Sequence, residues 1–287
     1  MQTRSLTRRG GACALVLAAV LCTAAAASPA AAPTPVVTAT LTSHGPAISG
    51  PRTWRPGAAR IAVVSHVPDE ELTLIHFRPS YSYTRFLVDG TRAKSHDAAA
   101  HAALRRILAE TIFDGGVDLF PGQSATFTVT VHRGTYYLGE MTSHPQFTPI
   151  RVAGTPEATR LSPGAVITAT DSGYHIQPST LPTHGTITIR DSGLRPHRLN
   201  LIPVKPGTTR AQLGAYLLKT GARDNAPPPP FALKGPQLGT ADISARQQMQ
   251  LTYSLPAGDY ALLDFNQDMT TGRPEALEGM YAIATLR

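Results

Sequence analysis

The feature of this sequence that most limits its fold is an internal repeat, in which the second half follows the order of features in the first. Three pairs of segments align in one order: 48–64 with 176–192, 71–80 with 198–207, and 121–141 with 244–265. The offset stays between 123 and 128 residues throughout. Two copies are too few for a solenoid, so each copy should contain a complete core. We therefore predict two tandem domains, at 36–154 and 160–287.

Short runs of β-forming residues dominate both copies. In the second copy, Gly, Pro, Asp and Ser separate the runs AVITATD, GTITIRDS, HRLNLIPV, QMQLTYSL, DYALLDF and MYAIATLR. Regular short strands with such turns are typical of a sandwich or barrel. The sequence therefore predicts an all-β protein made of two Greek-key β-sandwich domains.

One helical insertion is predicted in each copy. The segment 97–113 follows a capping residue, Asp97, and the segment 208–221 ends at Gly221. Apolar residues lie on one face of each: Leu104, Ile107, Leu108 and Ile112 in the first, and Leu213, Tyr216 and Leu217 in the second. We expect both faces to pack on the sheets.

The amino-terminal residues have the pattern of a secretory signal peptide. A basic start with Arg4, Arg8 and Arg9 precedes an Ala-rich apolar run, and small residues surround Ala27. We predict cleavage near Ala27, a signal peptide at 1–27, a disordered linker at 28–35, and secretion. The residues around Cys22 do not favour lipidation, and those after Arg9 do not favour twin-arginine export.

Composition excludes several classes of function. Both cysteines, Cys13 and Cys22, lie in the predicted signal peptide, so the secreted chain would contain neither disulfides nor thiolate ligands. The net charge is +7, and the basic residues are scattered along the chain. A nucleic-acid interface needs them in a basic stripe. No later apolar stretch reaches the length of a transmembrane helix. We expect neither a nucleic-acid partner nor a transmembrane segment after signal removal.

The order of motifs in 165–287 resembles that of a cupredoxin, the plastocyanin and amicyanin type of β-sandwich. The resemblance rests on Pro196-His197, on Gly258-x-Tyr260 followed by Asp264, and on the closing pair Gly279-Met280. It implies that His197 and Met280 occupy copper-ligand positions and that Asp264 replaces the cysteine. The loop 265–279 contains no histidine.

The resemblance also implies that a type 1 copper site cannot form, because such a site needs a thiolate and two imidazoles. In the first copy, Glu70 aligns with His197, and Glu140 aligns with Asp264. We interpret Glu70 and Glu140 as the equivalents of the degenerate site. We expect His197, Asp264 and Met280 to converge.

Two interpretations of that convergence remain open. In the first, Asp264 and His197 form a hydrogen-bonded pair under Met280, with no cofactor. In the second, His197, Asp264, Met280 or another donor bind copper or zinc weakly. The sequence contains neither a metalloprotease His-Glu-x-x-His motif nor a Gly-x-Ser-x-Gly elbow.

The sequence thus favours a secreted, non-enzymatic binding or structural protein with an unidentified extracellular or cell-envelope partner. Its alternative is an extracellular copper- or zinc-binding protein. The proline-rich segment 225–231 is interpreted as a rigid loop, with a partner-binding polyproline segment as the alternative.

Overall fold

The structure is a computed structural model that describes residues 37–68, 70–95, 97–141, 145–157, 164–222 and 227–287. The predicted signal peptide and the predicted linker at 28–35 lie outside the described residues, as do both cysteines, His96 and His144. No described helix has the length and apolar character needed to span a membrane.

Eighteen strands are present among the described residues. In the first half they are β1 (Val37–Thr42), β2 (Gly45–Ser49), β3 (Thr53–Trp54), β4 (Gly57–Ser65), β5 (Glu70–Phe77), β6 (Thr111–Leu119), β7 (Ser124–Val131), β8 (Gly134–Glu140) and β9 (Gln146–Val152). In the second half they are β10 (Ala165–Thr170), β11 (Gly173–Gln177), β12 (Thr180–Leu181), β13 (His184–Asp191), β14 (Asn200–Val204), β15 (Leu238–Gly239), β16 (Gln248–Ser254), β17 (Gly258–Leu263) and β18 (Tyr281–Leu286).

These strands form two mixed sheets. One sheet has the order β11-β10-β13-β16-β7-β4-β1-β2, and the other has the order β12-β18-β17-β14-β15-β6-β5-β8-β9-β3. Alternate side chains of each strand face inward; in β4, for example, Ala59, Ile61 and Val63 are buried. This period of two is what a strand with one covered face requires. The predicted all-β sandwich is confirmed.

The strand registers of the two halves correspond. Strand β1 lies parallel to β4, as β10 lies parallel to β13. In the other sheet, Leu74 pairs with Leu138, and their aligned counterparts Leu201 and Leu262 pair in the same way. The aligned segments of the sequence therefore fold into equivalent strands.

Both sheets continue from one half into the other. Strand β7 pairs with β16 around Phe127 and Leu251, which are equivalent positions of the repeat. Strand β6 pairs with β15 at Asp118 and Gly239. The described residues of both halves cluster as one compact unit. The domain boundaries at 36–154 and 160–287 stay a prediction.

Three α-helices are described: α1 (Tyr83–Arg92), α2 (Ala98–Glu110) and α3 (Arg210–Thr220). The helix predicted over 97–113 is α2, capped by Asp97, but it ends at Glu110. Ile112 lies in β6 instead, because this segment is needed for the ladder with β5. The first half contains α1 as well, which the sequence analysis did not identify.

The described part of the proline-rich segment, 227–231, packs against the second half as a loop. The Tyr216 hydroxyl donates to the Pro227 carbonyl at 2.6 Å, and the Lys205 ammonium donates to the Pro230 carbonyl at 2.7 Å. Phe231 packs on the apolar cluster around α3. These contacts favour the rigid-loop interpretation.

Candidate functional site

His197 lies on the loop between β13 and β14, and its backbone fixes the position of the ring. The His197 N–H donates to the Ile243 carbonyl at 3.0 Å, and the His197 carbonyl accepts from the Ile243 N–H at 2.9 Å. The side chain is 1% exposed. An imidazole this deep must find partners for both ring nitrogens, since a buried unpaired polar group is costly.

Asp264 follows β17 directly and is fully buried. Its Oδ2 accepts from the Arg198 backbone N–H at 3.0 Å, and its Oδ1 accepts from the Asn266 N–H at 2.9 Å. The same Oδ2 lies 3.3 Å from Nδ1 of His197. The predicted meeting of Asp264 and His197 is therefore present in the structure.

Glu275 is a third residue of this site, beside His197 and Asp264, and the sequence analysis did not identify it. It begins a short 3₁₀ helix, Glu275–Glu278, in the loop between β17 and β18. Its Oε2 lies 2.6 Å from Nδ1 of His197, and the side chain is 2% exposed. The resemblance to cupredoxins predicts a histidine ligand in this loop, so it gave no reason to expect a carboxylate ligand at position 275.

The other nitrogen of the ring meets a third carboxylate. Asp171, which follows β10, places Oδ1 3.2 Å from Nε2 of His197. Asp171 also accepts from the Leu194 backbone N–H at 2.9 Å. Carboxylates thus lie at both ring nitrogens of His197, an arrangement that suits an imidazolium with two N–H donors.

Electrostatics favour that charged form. Burial lowers the pKa of His197, but the carboxylates of Asp264 and Glu275 outweigh it and raise the pKa to about 10. The pKa of Asp171 is lowered: burial opposes the shift, and the Leu194 N–H and the His197 ring outweigh it. The His197 cluster, defined as His197, Asp264, Glu275 and Asp171, is therefore a buried ion-pair network at neutral pH.

Arg195 closes the cluster on its solvent side. Its guanidinium contacts Asp268 and lies 3.6 Å from both Asp171 Oδ1 and Glu275 Oε1. It also reaches Glu278 at 4.0 Å. Arg195 therefore supplies a second cation among the acids, which lowers the cost of burying several carboxylates together.

Met280, which the sequence resemblance assigns to the axial-ligand position, is fully buried. Its carbonyl accepts from the Asp264 N–H at 3.1 Å, and its N–H donates to the Glu275 carbonyl at 3.1 Å. The backbone of Met280 thus ties two members of the His197 cluster together.

A second network continues from the cluster to the first half. The Arg198 guanidinium donates to Asp242 at 2.9 Å and contacts Glu71 of β5 at 3.0 Å. Burial raises the pKa of Glu71 to about 7, against the opposing effect of Arg198. Residues of both halves therefore share one set of partly buried charges.

Glu70 and Glu140, which align with His197 and Asp264 in the repeat, have different surroundings. Glu140 ends β8 and is buried. Glu70 begins β5 half-buried, and one of its carboxylate oxygens makes no hydrogen bond to any described residue. The first half instead pairs His76 with the buried Asp114 at 2.7 Å. Burial raises the pKa of Asp114, against the effect of His76.

The residues of the His197 cluster do not fit type 1 copper. That centre needs a cysteine thiolate, and both cysteines of the chain are at positions 13 and 22. What the cluster offers is one imidazole and two carboxylates, in His197, Asp264 and Glu275, whose ligand atoms all lie within 4.8 Å of one another. Such a set suits zinc or another divalent ion when the imidazole is neutral.

The resemblance in the sequence predicted a cupredoxin-like fold, and the two packed sheets agree with that prediction. Solved structures similar to this chain include auracyanin from Roseiflexus castenholzii, which is 14% identical and matches 42% of this chain and 94% of its own, with a TM-score of 0.25. A multicopper oxidase is 13% identical over 88% of this chain and 87% of its own, with a TM-score of 0.24. Copper nitrite reductase from Nitrosomonas europaea is 10% identical over 87% and 93%, with a TM-score of 0.23.

These likenesses concern the fold alone. No protein-family model and no curated protein matches the chain.

Proposed function

We propose that this chain is a secreted, non-enzymatic, cupredoxin-like binding protein, in which an ion-pair cluster takes the position of a copper centre. The observation that carries the proposal is the pair of contacts on His197, at 2.6 Å to Glu275 and 3.2 Å to Asp171. Carboxylates on both ring nitrogens stabilise an imidazolium, which cannot coordinate a metal. The predicted signal peptide supports secretion.

Competition between proton and metal makes this proposal quantitative. A metal ion binds only the neutral imidazole, so it must displace the proton from His197. With a pKa of about 10, that displacement at pH 7 lowers the affinity by about 10³-fold. Metal binding through His197 would therefore be weak at neutral pH.

The binding surface in this proposal is the rim of loops around the His197 cluster. Loops on a rigid sandwich are where binding sites are usually built. Two large apolar side chains are exposed there, Leu194 at 82% and Phe265 at 36%. The partner belongs to the extracellular space or the cell envelope.

One observation favours a second function, an extracellular copper- or zinc-binding protein. His197, Asp264 and Glu275 offer three ligand atoms within 4.8 Å of one another. Three protein ligands with an open position are typical of zinc sites. Glu275 would then provide the third donor, beside the predicted His197 and Asp264.

Calorimetric titration of the purified secreted chain with Cu(II) and Zn(II) at pH 7 separates the two functions. The proposal predicts no stoichiometric site that depends on His197. A His197→Ala variant should take up the same metal as the parent, and the exposed His175→Ala is the matched control. Micromolar or tighter binding that is lost in His197→Ala and kept in His175→Ala would establish the second function instead.

A further inference from the structure

A cleft of about 690 Å³ lies between α2 and the loops that surround the His197 cluster. Its volume lies in the range of small-molecule sites, which are clefts of about 300–1,000 Å³. One wall is the side of α2 around Leu104 and Leu108, which belongs to the first half of the chain. The opposite wall consists of 194–196 and 265–270, which belong to the second half.

The walls of this interhalf cleft are largely apolar. The apolar lining residues are Leu104, Leu108, Ala109, Leu194, Pro196, Phe265 and Met269. Leu194 is 82% exposed and Phe265 is 36% exposed, although both are large apolar side chains. These exposed groups of the second-half wall, and the half-buried Leu104 and Leu108 of α2 opposite them, would lose contact with water if an apolar body filled the cleft.

The charges of the lining indicate which charged group a ligand of this cleft should carry. Four charged side chains line the cleft: Arg105, Arg195, Asp242 and Glu275. Arg195 is paired with Asp268 and lies near Glu275, Asp242 is paired with Arg198, and Glu275 is paired with His197.

Arg105 differs from the other three. It lies exposed on α2 at the edge of the cleft, and it forms no ion pair or hydrogen bond with any described residue. Among the described residues, the lining therefore presents one charge without a partner, and that charge is positive. An anionic group on a ligand would pair with this guanidinium, whose planar fork fits carboxylates and related oxyanions.

We propose that the interhalf cleft binds a small amphipathic organic anion. Its apolar or aromatic body would lie between α2 and the loop carrying Phe265, and its carboxylate or sulfonate would pair with Arg105. This inference rests on the proposed binding function and names the chemical class of the ligand. It requires nothing of His197 beyond its fixed position behind Glu275.

The test uses 1-anilinonaphthalene-8-sulfonate, an aromatic sulfonate whose fluorescence rises in apolar surroundings. Titration of the secreted chain should give saturable 1:1 binding. Arg105→Gln should weaken it by about fivefold or more, and Leu194→Ser should weaken it by about threefold. Decanoate should displace the probe, whereas decyltrimethylammonium should not.

Two matched controls lie on α3, away from the cleft. Lys219→Gln removes an exposed helical cation, and Leu218→Ser removes a leucine that is 70% exposed. Both should bind the probe like the parent chain. Absent or unsaturable binding, equal weakening by Lys219→Gln, or equal displacement by the cationic surfactant would overturn the proposal.

The failures of the two proposals are distinguishable. If the probe does not bind, the cleft ligand is refuted. If in addition no metal binding depends on His197, the proposed function without a metal site at His197 still stands. A metal site that depends on His197 refutes the proposed function, and the probe titration then still tests whether the cleft binds an organic anion.

Discussion

At the scale of residues, His197 acts as the cation that allows several acids to be buried together. Asp264 and Glu275 approach one ring nitrogen, and Asp171 approaches the other. Removing one partner of a buried ion pair leaves the others uncompensated, which costs more than the pair itself contributes. The stability of the cluster therefore depends on the imidazolium.

His197→Ala should lower the free energy of unfolding by about 3–5 kcal/mol, because it leaves buried carboxylates without their cation. Urea unfolding at pH 7 measures this change. The exposed His175→Ala should change it by less than about 0.5 kcal/mol. Equal stabilities for the two variants would mean that His197 is not charged in the folded protein.

The sequence predicted half of this site. Pro196-His197 and Asp264 were identified because they occupy fixed positions in a motif that ends or begins a strand. Glu275 was not, since it belongs to a loop whose path depends on tertiary packing. Asp171 was not either: it lies in the two-residue turn between β10 and β11, and nothing in the sequence indicates that this turn lies against His197. Glu275 reaches the ring only because the 3₁₀ helix folds back, with the Ala276 N–H donating to the Asp264 carbonyl at 2.8 Å.

At the scale of elements, local signals determine the ends of α3. Thr209 and Gln212 form a capping box, and Gly221 ends the helix with φ at +68°. Both signals are short-range, so the predicted segment 208–221 closely matches α3. Strands with alternating burial were predicted equally well; AVITATD, for example, corresponds to β10 at Ala165–Thr170.

Elements that depend on distant contacts were less predictable. Helix α1 was missed because Gly90 and Thr91 weaken its helical pattern, and Phe86 stabilises it by packing near Phe77 and Phe147. The end of α2 was misplaced because the β5–β6 ladder takes Thr111 and Ile112. Tertiary pairing decided both cases.

Thr209→Ala should lower the free energy of unfolding by about 1 kcal/mol, because the hydroxyl that accepts from the Gln212 N–H is lost. Chemical denaturation measures the change. Lys219→Ala, at an exposed position near the other end of α3, is the control for helix propensity and should change this free energy by less than about 0.5 kcal/mol. If both substitutions had the same effect, the capping box would not stabilise α3.

At the scale of the whole molecule, the two halves share both sheets and a partly buried charge network. The β7–β16 pairing and the β6–β15 pairing run across the junction. The core contacts include residues of both halves in a single cluster. Structure shared to this extent should unfold cooperatively.

Differential scanning calorimetry should therefore show one unfolding transition, with equal calorimetric and van't Hoff enthalpies. The predicted domains at 36–154 and 160–287 would then be structural repeats rather than independent folding units. Two resolved transitions would show instead that each repeat unfolds separately.

The Glu71–Arg198 contact makes the junction sensitive to pH. Glu71 has a folded pKa of about 7, above its ordinary value of 4.5. A carboxyl with a raised folded pKa contributes stability below its unfolded pKa, and this contribution is lost as the pH rises through the folded pKa. The loss should fall between about pH 4.5 and 7.

Glu71→Gln removes this titration and keeps the shape of the side chain. Relative to the parent, its free energy of unfolding should rise steadily across that pH range, as measured by urea unfolding at four pH values. A difference that stays constant across these pH values would contradict the raised pKa.

The account depends most on the charge of His197, and an NMR pH titration of its imidazole ring tests that charge directly. We predict an imidazolium throughout the neutral range, with a titration midpoint near pH 10. A midpoint at or below 6.5, the ordinary value for histidine, would contradict the account. It would mean that His197 is neutral at pH 7 and free to bind a metal.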